Sequence, residues 1–419
     1  MVEFYTGKMK KQNSPIPKKL VYLPILALII ALVLIWPKEL QQPLYLLCLE
    51  DDNREGQAIF QYDAARDAWT RLFNGRSFTQ LFSTPDDSGL VLTENLGQGK
   101  QTILWRLGQE ELFLFDESKS TAGEMSPDGR ILVLDTVLSN RTELLLMNSC
   151  QETGCQTTTI PGHPVWSPNG MRTLIESDQS VWINPASPLR VESRPGIYLG
   201  DEIGVAESLL FQKSQQSPTW LTNTTFIYHD IDFDKLLGLN DVLYRASIDG
   251  SNQKVADVEN FWDMDSDLNL YNYFLISEVF PNKLNENEIF VALTAFGIEG
   301  EDSHRIVSFN LENQESRTLL ESSSYILSEV SADGHWFSGL TRVSDQTNQL
   351  AVVSFQDKDV QIFELGTIFS TDQDWSINGE TIIVLSKEAF FLIKPSANQI
   401  RVHHYPENIN FCNSAVWGP

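Results

Sequence analysis

From Leu44 onward the apolar positions fall in short runs: LYLLCLE (44–50), TILWRL (102–107), ILVLDT (131–136), ELLLMN (143–148), IFVAL (289–293), LAVVSF (350–355), TIIVLS (381–386) and AFFLI (389–393). They are rich in β-branched, aromatic and aliphatic residues, and clusters of Gly, Pro, Asn, Asp and Ser separate them. That pattern predicts strands joined by turns. No long stretch carries the 3.6-residue apolar period of a surface helix, so residues 44–419 read as an all-β domain. The one different segment lies upstream. Leu20 to Trp36, LVYLPILALIIALVLIW, holds 17 residues without a charge. A spanning helix needs about 20 mostly apolar residues, with roughly 17 as the lower limit. Tyr22 and Trp36 sit at its ends, where amphipathic rings suit the membrane interface. Lys8, Lys10, Lys11, Lys18 and Lys19 precede it and Lys38 follows, which predicts a cytoplasmic N-terminus and an exported remainder. Bulky and charged residues after the core (Ile35 to Glu39) do not form a small-residue cleavage site. The expected organisation is a cytoplasmic basic tail (1–19), a transmembrane helix (20–36), a spacer (37–43) and the β domain (44–419).

Within the β domain one element recurs: an apolar or aromatic residue, then Ser-Pro-Asp-Gly or a variant, then an aliphatic strand. It appears as MSPDGRILVLD (125–135), VWSPNGMRTLIES (165–177), VSADGHWFSGL (330–340) and DWSINGETIIVLS (374–386), and more loosely as FSTPDDSGLVLTE (82–94). Pro presets the first turn position, Asp or Asn tolerates the left-handed region, and Gly supplies a positive φ, so each copy predicts a tight hairpin. The preceding Trp is suited to packing between neighbouring sheets. AVWGP (415–419) looks like the opening of one more copy.

These motifs resemble the repeat of TolB-type propellers, which are related to WD40-like PD40 repeats. The resemblance covers residues 44–419 and implies one four-stranded blade per copy. Eight blades are expected, at 44–76, 77–117, 118–161, 162–200, 215–258, 273–322, 323–366 and 367–405, with seven as the alternative. The segment 196–216 is the longest break in the repeat, and Ile203 to Phe211 reads there as a short helix. The first blade lacks its own hairpin strand, and the chain end FCNSAVWGP (411–419) would supply it. That closure would set Cys48 and Cys412 on adjacent strands, within disulfide reach. The resemblance does not fix a function, since such propellers serve as scaffolds, as binding modules and as parts of enzymes.

Charge narrows the partners. The formal net charge is −26, and residues 1–43, with six Lys and two Glu, leave −30 on the remainder. Such a surface repels phosphate backbones, which argues against nucleic acid. Cys150 and Cys155 flank a turn-like Gln-Glu-Thr-Gly and are disulfide candidates in an exported chain. In HDIDFDKLLGLND (229–241), Asp230, Asp232 and Asp234 alternate and Asp241 stands at position 12, which suits an oxygen-ligated Ca²⁺. The loop departs from an EF-hand, with Lys235 at the glycine position. A solvated acidic loop is the other reading. The sequence holds no G-x-S-x-G, H-E-x-x-H or Walker motif. The function expected is therefore a membrane-anchored, extracytoplasmic module that binds a protein, peptide or glycan. The alternative is a glycosidase- or lyase-type enzyme with a dispersed site in the propeller channel, supported by Ca²⁺.

Overall fold

The computed structural model describes residues 43–418 without 51–56, 86–87, 98, 107–110, 117–119, 137–141, 152–153, 161, 178–195, 202–205, 212–217, 232–240, 263–269, 299–301, 345–346, 367–371 and 377. The expected transmembrane segment 20–36 lies outside these residues. Among the described residues no helix is long and apolar enough to cross a membrane.

Among the described residues thirty-two strands, β1 to β32 in chain order, form eight four-stranded antiparallel sheets. Seven are simple meanders of four consecutive strands. Their first strands are β4 (Phe78–Ser83), β8 (Ser120–Met125), β12 (His163–Trp166), β16 (Thr219–Trp220), β20 (Tyr271–Pro281), β24 (Ile326–Val330) and β28 (Gln373–Trp375). The eighth sheet, blade 1, joins the two ends of the domain. β1 (Leu44–Glu50) pairs with β32 (Ile409–Trp417), which takes the place that the first strand holds in every other blade. First strands of neighbouring blades lie against one another, β28 beside β32 and β32 beside β4, so they form the inner ring. Fourth strands lie outermost, with exposed residues dominating β31 (Gln399–His404).

The eight-blade count and the terminal closure match the sequence reading. The segment 196–216 does not. It supplies β14 (Gly196–Gly200) and β15 (Ala206–Phe211), the last two strands of blade 4, instead of a break with a short helix. All five residues of Gly-Ile-Tyr-Leu-Gly are buried. A strand buried on both faces has no polar alternation to betray it.

Each recurring hairpin folds in the same way. In blade 3 the Ser126 hydroxyl donates to Asp128 Oδ1 (2.8 Å) and accepts from the Ile131 amide (3.0 Å), while the Gly129 amide donates to the Ser126 carbonyl (2.8 Å). The same bonds recur at Ser167/Asn169, Ser331/Asp333 and Ser376/Asn378. The turn glycines 129, 170, 334 and 379 have φ between +68° and +72°, where a Cβ is strained. Adjacent hairpins also touch. A Cβ on Gly379 would collide with Asp333 of the preceding blade.

The core lies between the sheets. Phe290, Ala292 and Ile306 of blade 6 pack on Ile326, Phe337 and Val353 of blade 7, with Phe290 stacked on Phe355 at 4.3 Å. The tryptophans before the hairpins bridge blades as well. Trp220 Nε1 donates to the Val165 carbonyl of blade 4 (2.8 Å), and Trp375 Nε1 donates to Ser338 Oγ of blade 7 (3.1 Å). Each buries a large ring and satisfies its one donor.

Both predicted disulfides are present. Cys48–Cys412 ties β1 to β32, and Cys150–Cys155 ties the hairpin of β10 (Thr142–Gln151) and β11 (Gly154–Ile160).

Candidate functional site

The acidic loop of the sequence reading opens from blade 5, between β17 (Thr225–Ile231) and β18 (Asp241–Ser247), at the end of the propeller opposite the recurring hairpins. Asp232 and Asp234 lie outside the described residues. Asp230 and Asp241 stand at the two lips of the loop and are both buried. Asp230 pairs with Val242 and so shares its face, whereas Asp241, the next residue along that strand, points to the other face. The two carboxylates thus diverge, and among the described residues no group of three His, Cys, Asp or Glu could hold a metal. Asp241 instead has a structural partner: its Oδ2 accepts the Ile276 amide of blade 6 at 3.0 Å. Burial pushes the Asp241 carboxyl up and pushes the neighbouring His229 imidazole down.

The inner ring holds a second acidic group that the sequence reading missed. Glu329 of β24 and Asp374 of β28 stand two residues before the hairpin serines 331 and 376. Asp372 precedes β28, and its Oδ2 accepts the Ala415 amide of β32 at 3.2 Å. Burial, then the charges of Asp374 and Asp372, push the Glu329 carboxyl up to about 9. Burial pushes Asp372 up to about 6. Glu329 Oε2 is buried and accepts no hydrogen bond among the described residues. A protonated carboxyl beside ionised ones is an arrangement that can exchange a proton with a ligand. The signal was present in the sequence: an acid occupies the same repeat position in two consecutive blades.

The third feature is a group of aromatic and hydroxyl side chains where blade 6 meets the start of blade 7, at the same end as the acidic loop. It starts from two register irregularities in β20, at Asn272 and at Ser277, where the strand gains a residue over β21 (Glu288–Gly297). Such bulges re-aim side chains. Ser277 Oγ lies 3.1 Å from Thr294 Oγ1, which lies 3.0 Å from His304 Nδ1 on β22 (Ser303–Asn310). The His304 ring meets Tyr325 edge to face at 5.8 Å, and Tyr273 meets Phe296 at 5.9 Å. Tyr325 is 57% exposed and Phe296 38%. Desolvation holds the His304 imidazole below its ordinary value despite the Asp302 charge. The Tyr325 phenol is raised, first by desolvation and then by the Glu278 carboxylate, which places Glu278 beside it.

No family model and no curated protein matches the sequence. Solved structures do match. Dihydro-heme d1 dehydrogenase NirN in complex with DHE aligns over 90% of this chain and 75% of its own at 10% identity, with a TM-score of 0.53. Prolyl oligopeptidase B from Galerina marginata, bound to a 25mer macrocyclization substrate, aligns over 80% of this chain and 51% of its own at 10% identity, with a TM-score of 0.52. The shared fold is a β-propeller. A TolB of Agrobacterium tumefaciens also aligns, over 61% of this chain and 86% of its own at 14% identity, but at a TM-score of 0.38. The chain spans about half the length of the prolyl endopeptidases it matches. At these identities the likeness extends to the fold and not to the activity.

Proposed function

We propose that this chain is a membrane-anchored, extracytoplasmic propeller that binds a protein, peptide or glycan at the end facing away from the bilayer. The observation that carries this reading is where the domain begins. Leu44 pairs with Trp417, and the Gly418 amide donates to the Pro43 carbonyl at 2.9 Å, at the end of the ring where the recurring hairpins lie. A seven-residue spacer reaches at most about 25 Å, so a helix at 20–36 holds that end close to the bilayer. The opposite end, with its acidic loop and the exposed rings of Phe296 and Tyr325, is then presented outward. Two disulfides support an oxidising compartment. In the same reading the 229–241 loop takes Ca²⁺ through Asp230, Asp232 and Asp234.

The test is site-specific photocrosslinking of the full chain in native membranes. A photoreactive residue at Ile298, 56% exposed at the outward end, is expected to give a discrete adduct. The same residue at Asp128, on a hairpin, is expected to give none. Equal labelling at both positions, or none at either, sinks the proposal.

A second reading rests on Glu329, whose carboxyl is pushed up to about 9 beside Asp372 at about 6. This pair suits general acid and base roles in a glycosidase or lyase sited in the channel. It predicts turnover of some oligosaccharide that Glu329→Gln abolishes. A full chain that turns over no glycan in a broad substrate screen counts against it.

A further inference from the structure

We propose that Asn74 is a modification site, deamidated spontaneously through a succinimide, and that the fold leaves it open while shielding the two other Asn-Gly pairs of the chain. The three pairs are Asn74-Gly75, Asn169-Gly170 and Asn378-Gly379. The reaction needs the glycine amide nitrogen to be free and to reach the asparagine Cγ. Glycine favours the attack, since no Cβ crowds the nitrogen or restricts its backbone. One dipeptide in three settings therefore reports what each local structure permits.

In the recurring hairpins both reacting groups are engaged. Asn169 Oδ1 accepts from Ser167 Oγ (2.9 Å) and from the Met171 amide (3.1 Å), and the Gly170 amide donates to the Ser167 carbonyl (2.8 Å). Asn378 Oδ1 accepts from Ser376 Oγ (2.7 Å) and from the Glu380 amide (3.2 Å), and the Gly379 amide donates to the Ser376 carbonyl (2.7 Å). Asp333 of blade 7 also crowds Gly379. Attack at either position requires the hairpin to open, so its rate is reduced to the fraction of time the hairpin spends open.

Asn74-Gly75 lies in the connection from blade 1 to blade 2, at the end of the ring opposite the hairpins, and is held differently. The Arg76 amide closes a turn on the Phe73 carbonyl (3.1 Å), with Gly75 at φ +76° in the third position. Among the described residues nothing accepts the Gly75 amide and nothing bonds the Asn74 side chain. Both residues are exposed, and a Cβ on Gly75 would meet nothing within 4 Å, so the pair has room to rotate. Its flanks are fixed: Phe73 meets Trp105 edge to face at 5.3 Å, and Arg76 reaches Glu94 at 2.7 Å. In the reaction the Gly75 nitrogen bonds to Asn74 Cγ, its proton passes to solvent, and Nδ2 leaves as ammonia. Water then opens the ring at either carbonyl and leaves an aspartyl or an isoaspartyl linkage at position 74. Water is the sole co-reactant, and no atom is oxidised or reduced. Either product adds a carboxylate to this end of the ring.

The test ages the full chain in mildly alkaline buffer and follows its peptides by mass spectrometry, with isoaspartate told from aspartate by electron-transfer fragmentation. A parallel sample is aged in guanidinium chloride, where the hairpins are lost. In the folded chain the Asn74 peptide is expected to exchange NH for O about tenfold faster, or more, than the Asn169 and Asn378 peptides. Isoaspartate is expected among its products, and the rate is expected to rise with pH, because the nitrogen attacks once deprotonated. In denaturant the three rates should converge. Asn74→Gln, whose longer side chain closes the ring poorly, should keep position 74 unconverted. An Asn74 peptide that stays unchanged in the folded chain, three equal rates there, or conversion without isoaspartate would overturn the inference. A gap between the three positions that persists in denaturant would overturn it too, by placing the cause in the neighbouring residues instead of the fold.

Discussion

Removing the Cys48–Cys412 bond tests whether the ring is sealed by its ends. The two half-cystines are 364 residues apart in sequence, whereas Cys150 and Cys155 are 5 apart. In the chain-entropy treatment, closing a loop of that length restricts the unfolded chain by about 6 kcal/mol, against about 2 kcal/mol for the short loop. The β1–β32 ladder also joins the ends, and residual structure in the unfolded chain lowers both figures. The realised difference should therefore be about 2–3 kcal/mol. The perturbations are Cys48→Ala with Cys412→Ala, and Cys150→Ala with Cys155→Ala. Reduction of the unmutated chain provides a control that removes no side-chain volume. Equilibrium urea unfolding of the full chain in nanodiscs, followed by tryptophan fluorescence, reads the midpoint. The long-loop variant should unfold at clearly lower urea than the short-loop variant. Equal midpoints, or a larger loss from the short loop, would refute the view that closure by the ends limits the unfolded chain.

Four further outcomes are expected. Gly379→Ala, at φ +68° and against Asp333, should cost more than Gly250→Ala, at φ +84° in open space, where strain alone costs about 1–2 kcal/mol; thermal melts of the two variants compare them. Glu329 is held above its ordinary 4.5 at about 9, so its favourable contribution is complete below about pH 4.5 and is lost as pH rises towards 9. Wild type and Glu329→Gln should accordingly melt together at pH 4 and diverge in favour of the variant by pH 9, and parallel curves would contradict the raised carboxyl. Trp220→Phe should destabilise by about 1–3 kcal/mol, because it strips the Val165 carbonyl of its buried donor; an unchanged urea midpoint would deny the bridge. Millimolar CaCl₂ should raise the melting temperature of the wild type and leave Asp230→Asn/Asp232→Asn/Asp234→Asn unmoved, and an identical shift in both would remove the loop as the Ca²⁺ site.

The fold was legible because each hairpin is a local device. Ser126, Asp128 and Gly129 satisfy one another within five residues, so the sequence that spells the turn also makes it. The strands of blade 4 after Ser177 were not legible in that way. β14 is buried throughout, and its burial comes from neighbours distant in sequence, such as Phe226 and Tyr228. The acidic loop was legible as composition, but its two described carboxylates point to opposite faces. That outcome depends on strand register, which spacing within the loop does not reveal. The cluster of side chains between blades 6 and 7 was least legible of all. Tyr273 and Tyr325 belong to different blades, and Ser277 reaches Thr294 through a bulge that no local pattern announces. Glu329 and Asp374 stand between these extremes, since aligning the repeats on Ser331 and Ser376 superposes them.

The closure of blade 1 also decides how the domain bears mechanical load. A pull applied to the chain ahead of Leu44 runs along the axis of β1, loading its ladders with β2 (Ala58–Asp63) and β32 in shear. In shear the hydrogen bonds of a ladder share the force, whereas in peeling they fail one at a time. Only Leu44 to Leu47 precede the Cys48–Cys412 bond. A tug strong enough to fray those four residues would next meet a covalent link into β32 and would pass around the ring to blade 8. The propeller is therefore built to be towed by its first strand without unwinding.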